Sequence, residues 1–274
     1  TRNEMTATAL WIGPRRLDVS GAGYSANGQF LADGRPVEIH PDMRIALCIG
    51  ALCNDTQIDQ SELEFGGRAQ VMGDPTEAAL LVLAMKAGID LDALARDYPR
   101  IAEVPFDSES QRMATVHTSP EGKIYSYVKG SPRVLLESSE QWLSPEGLAP
   151  LTDEHRREWL ERNNSLARDA LRVLGLAYRE LPADHHEVDL TRDLIFVGLV
   201  GMIDPLREEA SEAIQTCRKA GIRVMMLTGD QVLTASEIAR QLKLGDGNAP
   251  VSQQVLHARD LDALLRRVDR AYAA

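Results

Sequence analysis

Ten consecutive uncharged residues, Leu194–Ile203, constrain the fold more than any other stretch of this 274-residue chain. The run is about half the ~18–20 residues a membrane helix needs, so it predicts a buried strand. It ends in Asp204-Pro205. A helical pattern follows over Arg207–Ala220, stopped by Gly221, then a second apolar run at Ile222–Leu227, the turn Thr228-Gly229-Asp230 and a second helical pattern over Gln231–Leu242. Apolar strands without alternation, in β-α-β-α order, are the signature of a parallel sheet covered on both faces. Two such strands cannot make a buried sheet by themselves. No later apolar strand is evident before Ala274, so the missing strands are expected from the amino-terminal region or from outside the sequence. Thr1, standing where a methionine would, favours the second source.

The rest of the chain reads differently. Thr1 to about Asn54 is weakly patterned, with glycines at 21, 23, 28 and 34 marking turns and a helix expected over Pro41–Cys53. Glu62–Met72 is mixed loop or short strand. Asp74-Pro75-Thr76-Glu77 supplies an N-cap carboxylate, a proline at the first helical position and a glutamate in the capping-box position, opening a helix over Ala78–Ala87 that Gly88 stops. Met113–Thr118 and Lys123–Lys129 flank Ser119-Pro120-Glu121-Gly122 as a β-hairpin. A charged helix at about Asp153–Ala170 precedes an apolar strand at Arg172–Ala177. The middle of the chain is therefore α+β with antiparallel pairing. Thirty basic against 41 acidic residues give a net charge of −11, which disfavours binding to a phosphate backbone and leaves no reason to expect a nucleic-acid partner. With 44% apolar and 26% charged residues, wholesale disorder is excluded. Cys48, Cys53 and Cys217 show no metal or redox spacing and read as reduced thiols.

Several residues carry chemistry, and each has a plain structural alternative. Asp204 and Thr228-Gly229-Asp230 stand at the ends of strands expected to be neighbours, where open parallel sheets bind ligands. The Thr228 hydroxyl and the amides opening the next helix can hold a phosphate, or Thr228 and Asp230 can simply cap that helix. Lys129, beside Gly130 in Lys129-Gly130-Ser131-Pro132, can meet a nucleotide phosphate or stand in solvent at a strand end. Phe106, in the turn-rich Pro105-Phe106-Asp107-Ser108, can stack on a base or fill the core. Glu77 can bind a ligand or close its own capping box.

Taken in order, Thr1–Met5, Gly73–Glu77, Pro105–Ser108, Lys129–Pro132, Arg172–Ala177, Asp204–Arg207 and Met226–Asp230 resemble the cytoplasmic region of a P-type cation-transporting ATPase, of the branch that includes calcium and sodium/potassium pumps. The resemblance spans nearly the whole chain. It implies a nucleotide-binding domain at residues 6–203, with a mainly antiparallel sheet flanked by helices. Residues 1–5 would be a phosphorylation-domain remnant, and 204–274 part of an incomplete haloacid-dehalogenase-like, Rossmann-type parallel-sheet domain. It further implies ATP as ligand, with the base on Phe106 near Glu77, Lys129 lining the path and Arg172 on the phosphates. Thr228, Gly229 and Asp230 would hold the transferring phosphoryl group, and Asp204, Pro205 and Arg207 would form a hinge. The family's phosphorylated aspartate would lie just before Thr1 and the residues completing its magnesium site beyond Ala274. The resemblance thus implies no catalytic residue and no metal ligand within this sequence, and no turnover by this chain alone. The partners implied are ATP and the membrane and actuator domains of a membrane-embedded pump, on its cytoplasmic face, with no direct membrane contact from this part.

One departure stands out. Gln111 occupies a position where relatives commonly carry a nucleotide-contacting lysine, so weak ATP binding is expected. Arg112, one position on in a strand, points to the other face and compensates only by bending back. Two other classes share some of these features: a soluble haloacid-dehalogenase-like phosphatase with an inserted cap domain, and a non-catalytic nucleotide-binding module.

Overall fold

The computed structural model describes residues 4–59, 70–184, 189–228 and 232–244. It divides into two compact units, Thr1–Ala167 with Leu171–Pro205, and Arg168–Ala170 with Leu206–Ala274.

In chain order the first unit contains β1 (Thr6–Ile12), β2 (Arg15–Val19), β3 (Phe30–Ala32), β4 (Arg35–Pro36), α1 (Pro41–Leu52), β5 (Gln57–Asp59), β6 (Gln70–Met72), α2 (Pro75–Lys86) and α3 (Leu91–Asp97). It continues with β7 (Arg100–Asp107), β8 (Arg112–Thr118), β9 (Ile124–Gly130), α4 (Pro132–Glu137), β10 (Ser139–Ser144), β11 (Gly147–Pro150), α5 (Asp153–Arg168), β12 (Arg172–Leu181) and β13 (Leu194–Ile203). Among the described residues the main sheet runs β4-β3-β2-β1-β13-β12-β9-β8-β7, with β10 and β11 attached beside β13. Every pairing is antiparallel except β10 with β13. The unit is thus a large, mainly antiparallel sheet flanked by helices. One face packs Leu10, Leu17, Met113, Leu176 and Val200 against α1, α2 and α3, and the other packs Val128, Ala177, Phe196 and Leu199 against α4 and α5.

That second covered face corrects the reading of Leu194–Ile203. The run is a strand, as its composition predicts, but it sits in the middle of the antiparallel sheet. Its flanks are β12 on one side and, on the other, β1 with β10. A strand loses its hydrophobic alternation because both its faces are buried, and two helical layers bury an antiparallel strand as fully as a parallel one. β1 was hidden for the same reason. Its small residues Ala7 and Ala9 gave no apolar signal, yet Thr6, Ala7, Ala9, Leu10 and Ile12 are all buried.

Local signals did better. α1, the β8–β9 hairpin, α5 and the strand from Arg172 form where expected, and α2 starts at Pro75 with the Asp74 carboxylate accepting from the Thr76 and Glu77 amides. The weakly patterned amino-terminal stretch is held by a tertiary contact. Lys86 Nζ, at the end of α2, donates to the Ser20 and Gly21 carbonyls at 2.8 and 3.0 Å, and burial lowers its pKa to about 8.

The second unit holds α6 (Glu208–Lys219) and α7 (Val232–Gln241) at the two expected helices. The apolar run between them is not a strand. Ile222, Met225 and Leu227 are exposed, Leu227 fully at 101%. A strand exists only through pairing, and among the described residues this segment has no strand partner. Asp204 and Thr228 therefore do not stand at the ends of neighbouring strands: Asp204 follows β13 of the antiparallel sheet, and 222–228 carries no strand. Gly229 and Asp230 lie outside the described residues.

Candidate functional site

The centre of the candidate site is an ion pair between residues 52 positions apart. Lys129, near the end of β9, extends on the sheet face covered by α1 and α2, where its Nζ lies 2.5 Å from Glu77 Oε1. The side chains are only 8% and 15% exposed. Both plain alternatives fail here. Lys129 is not a solvated strand-end lysine, and the Glu77 carboxylate is directed at Lys129, Asp55 and Thr56 and not back at its own cap residue.

The other carboxylate oxygen of Glu77 is occupied as well. Oε2 accepts the Asp55 amide at 3.1 Å and the Thr56 hydroxyl at 3.0 Å. Asn54 Nδ2 donates to the Glu77 carbonyl at 2.9 Å. Gly73 makes this approach possible. Its φ is +143°, and a Cβ there would lie 2.2 Å from Thr56 Oγ1. Beneath the pair, burial pushes the Cys53 thiol up, with Lys129 pulling the other way. Sequence reading missed Asn54, Asp55 and Thr56 entirely. They follow the helix expected over Pro41–Cys53, and nothing local to them signals a carboxylate 22 residues away.

Register places the remaining residues around this pair. Met113 on β8 and Leu176 on β12 flank Lys129 in one row across the sheet. At the edge strand β7, a shift in pairing between Val104 and Asp107 leaves Pro105 and Phe106 together opposite Met113. Such a bulge suits a proline, which has no amide to donate and is tolerated at sheet edges. Phe106 is thus on a strand, not in a turn, and not in the core: it is 63% exposed. At ~4.8 Å per strand, its backbone lies about 10 Å from that of Lys129. Arg172 opens β12 four residues before Leu176, on the same face and exposed, about 13 Å further along at ~3.3 Å per residue. An exposed aromatic at one end, a cation at the other and a buried acid–base pair between them suit a ligand with a flat base and an anionic tail.

A family model for the P-type ATPase cytoplasmic domain N matches residues 42–209. The chain belongs to that family. It is 40% identical over 272 residues to the cation-transporting ATPase pma1 of Synechocystis, covering 93% of this chain and 29% of that protein. It is 35% identical over 268 residues to a calcium-transporting ATPase of Bacillus subtilis, covering 96% and 29%, and 34% identical over 271 residues to the probable cation-transporting ATPase F of Mycobacterium tuberculosis, with the same coverage. The chain therefore spans about 29% of the length of these relatives. Among the described residues no helix is long and apolar enough to cross a membrane.

Within this N domain, Gln111 closes the β7–β8 turn with φ of +52° and its side chain exposed. The turn is tied by the Asp107 carboxylate, which accepts the Ser110 amide at 2.8 Å and is held below its ordinary pKa by that bond. Arg112 points to the opposite face, as its strand position predicts, where its guanidinium donates to Ser138 Oγ and the Thr191 carbonyl. It is not available to replace a lysine at 111. Gly130 has a structural use that sequence reading did not foresee. A Cβ there would lie 2.4 Å from the Gln111 carbonyl, which accepts the Ser131 amide at 2.9 Å. Its bareness lets β8 and β9 meet at this junction. Asp204 and Pro205 belong to the first unit and Arg207 to the second. Thr228 is exposed in the second unit.

Proposed function

We propose that this N domain binds ATP on the face carrying Glu77, Lys129 and Phe106, as the nucleotide-binding part of an ATP-driven cation pump. The observation that carries the reading is the buried Lys129–Glu77 pair with an exposed phenylalanine two strands away in the same row of the sheet. Phe106 stacks on the base, Glu77 and Lys129 hydrogen-bond the nucleoside, and Arg172 meets the phosphates. In the intact pump an aspartate carboxylate, which the resemblance puts just before Thr1, attacks the γ-phosphorus. ADP leaves and an aspartyl-phosphate forms, splitting hydrolysis into two easier steps. Thr228, Gly229 and Asp230 would stabilise the transferring group, in a phosphorylation domain of haloacid-dehalogenase-like type that residues from Asp204 onward begin. Asp204, Pro205 and Arg207 would be the hinge. Magnesium would accompany ATP. Among the described residues no group of three or more His, Cys, Asp or Glu is arranged to hold a metal, so no step through the ion is assigned to these residues. The chain alone is expected to bind ATP weakly and not to turn it over.

Base–aromatic stacking is worth ~1–3 kcal/mol, so Phe106→Ala is expected to weaken ATP binding about 5- to 150-fold in a calorimetric or fluorescence titration. Because Phe106 is exposed, the denaturation midpoint should hardly move. Unchanged affinity would remove Phe106 from the site. Gln111→Lys is expected to tighten ATP roughly two- to tenfold, the value of a partly exposed charge-assisted hydrogen bond. An unaltered affinity there would show that Gln111 does not cause the weak binding.

A further inference from the structure

We propose that Arg100 is a positioning residue for nucleotide binding, setting the Glu77 carboxylate through the Asn54–Thr56 segment. The inference rests on the reading of the Glu77–Lys129 face as the ATP site.

Arg100 opens β7, outside the motifs that carry the family resemblance. Both terminal nitrogens of its guanidinium are engaged, on the end of α1, on the segment that follows it and on Glu103. Nη2 donates to the Asn54 carbonyl at 2.5 Å and the Leu52 carbonyl at 3.4 Å, while Nη1 donates to Asp55 Oδ1 at 2.7 Å and Glu103 Oε2 at 2.9 Å. The last carbonyls of a helix favour a cation, and the guanidinium stands at that end of α1, where the Leu52 carbonyl also accepts the Asn54 amide at 3.0 Å. The same segment holds the Glu77 carbonyl and Oε2. Asn54 Nδ2 donates to the former, and the Asp55 amide and Thr56 hydroxyl to the latter. The terminal torsion of a glutamate is broad, so a carboxylate is aimed only by its partners. With Oε2 fixed on the segment, Oε1 faces Lys129. The contacts form one chain, from Arg100 to residues 52–56, to Glu77, to Lys129.

A lysine at position 100 would keep the charge beside Asp55 and Glu103, but one ammonium has no planar fork with which to hold two carbonyls and two carboxylates together. Arg100→Lys therefore separates the fork from the charge.

The test uses the nitrogen-15-labelled chain, titrated with ATP, as wild type, Arg100→Lys, Glu77→Gln and the double variant. Glu77→Gln is expected to weaken ATP roughly tenfold, as for one lost charge-assisted hydrogen bond, and Arg100→Lys by about three- to tenfold. If Arg100 acts through Glu77, the second substitution adds less than about twofold to the first, since residues in one network are not additive. Before ATP is added, the Asp55 amide resonance should move in the same direction in Arg100→Lys as in Glu77→Gln. A merely structural arginine would lower stability while leaving the ATP affinity of the folded chain unchanged. Multiplying effects, an unchanged affinity in Arg100→Lys, or an unmoved Asp55 amide would each overturn the proposal. A wild-type chain that binds no ATP would overturn the nucleotide reading instead, while opposite movement of the Asp55 amide in the two variants would still overturn the positioning role. Should Arg100→Lys fail to fold, Asp55→Asn, which loosens the hold on Nη1, is expected to weaken ATP in the same direction by a smaller amount; an unchanged affinity would count against Arg100.

Discussion

Lys129→Met is expected to destabilise the chain by about 3–5 kcal/mol, because removing one member of a buried ion pair strands the other. With both side chains at most 15% exposed, the Glu77 carboxylate would keep its bonds to the Asp55 amide and Thr56 hydroxyl but face a methyl group in place of an ammonium. Those two remaining donors place the expectation toward the lower end of the range. The double variant Lys129→Met/Glu77→Gln should recover much of the loss, since a neutral amide tolerates an apolar neighbour better than a charge does. Urea unfolding of the four-member cycle measures the coupling directly. Additive losses would mean that the two groups act independently. In every member lacking Lys129, ATP affinity should stay low even where stability returns. A pair kept only for stability would not show that separation of the two readouts.

Trp159→Ala should cost about as much, roughly 3–5 kcal/mol, for a different reason. α5 is a charged helix whose buried side chains are Trp159 and Leu166. The indole is 1% exposed. It meets Phe196 of β13 and Trp142 of β10 edge-on, at centroid distances of 5.0 and 6.1 Å, and carries the Arg162 guanidinium 4.5 Å from its ring centre. Truncation removes the main anchor of α5 and uncovers the far face of the central strand. The lost tertiary packing can be followed by near-ultraviolet circular dichroism alongside urea unfolding. ATP affinity of the folded fraction should be unchanged, because Trp159 packs on the face opposite Glu77 and Lys129. A strong effect on affinity with little effect on stability would contradict this placement.

The two substitutions differ in how legible their targets were. Lys129 and Glu77 stood out through the motifs around them, and each read alone favoured a plain structural role. Only their pairing decides against it, and pairing across 52 residues is not written in local pattern. Trp159 was one apolar residue in a charged helix, and its position predicted little until β13 was found beneath it. Phe106 lay near a recognisable turn, yet its exposure depends on a bulge produced by pairing with β8. Arg100 and Asn54–Thr56 carried no signal, because their roles are donor–acceptor contacts between segments more than 20 residues apart.

Sequence alone determined the elements whose causes are local: the capped start of α2 at Asp74-Pro75, the β8–β9 hairpin, the two helices of the second unit, and the family, through motifs in a fixed order. It also determined that Leu194–Ile203 is a strand buried on both faces. Tertiary structure alone decided which sheet that strand joins, that the apolar run at Ile222–Leu227 is not a strand, and where the oxygens of Glu77 go. Caps, turns and periodicity are set by a residue's type and its neighbours in the chain, whereas pairing, and the burial that follows from it, depends on which distant segment supplies the other half of each hydrogen bond.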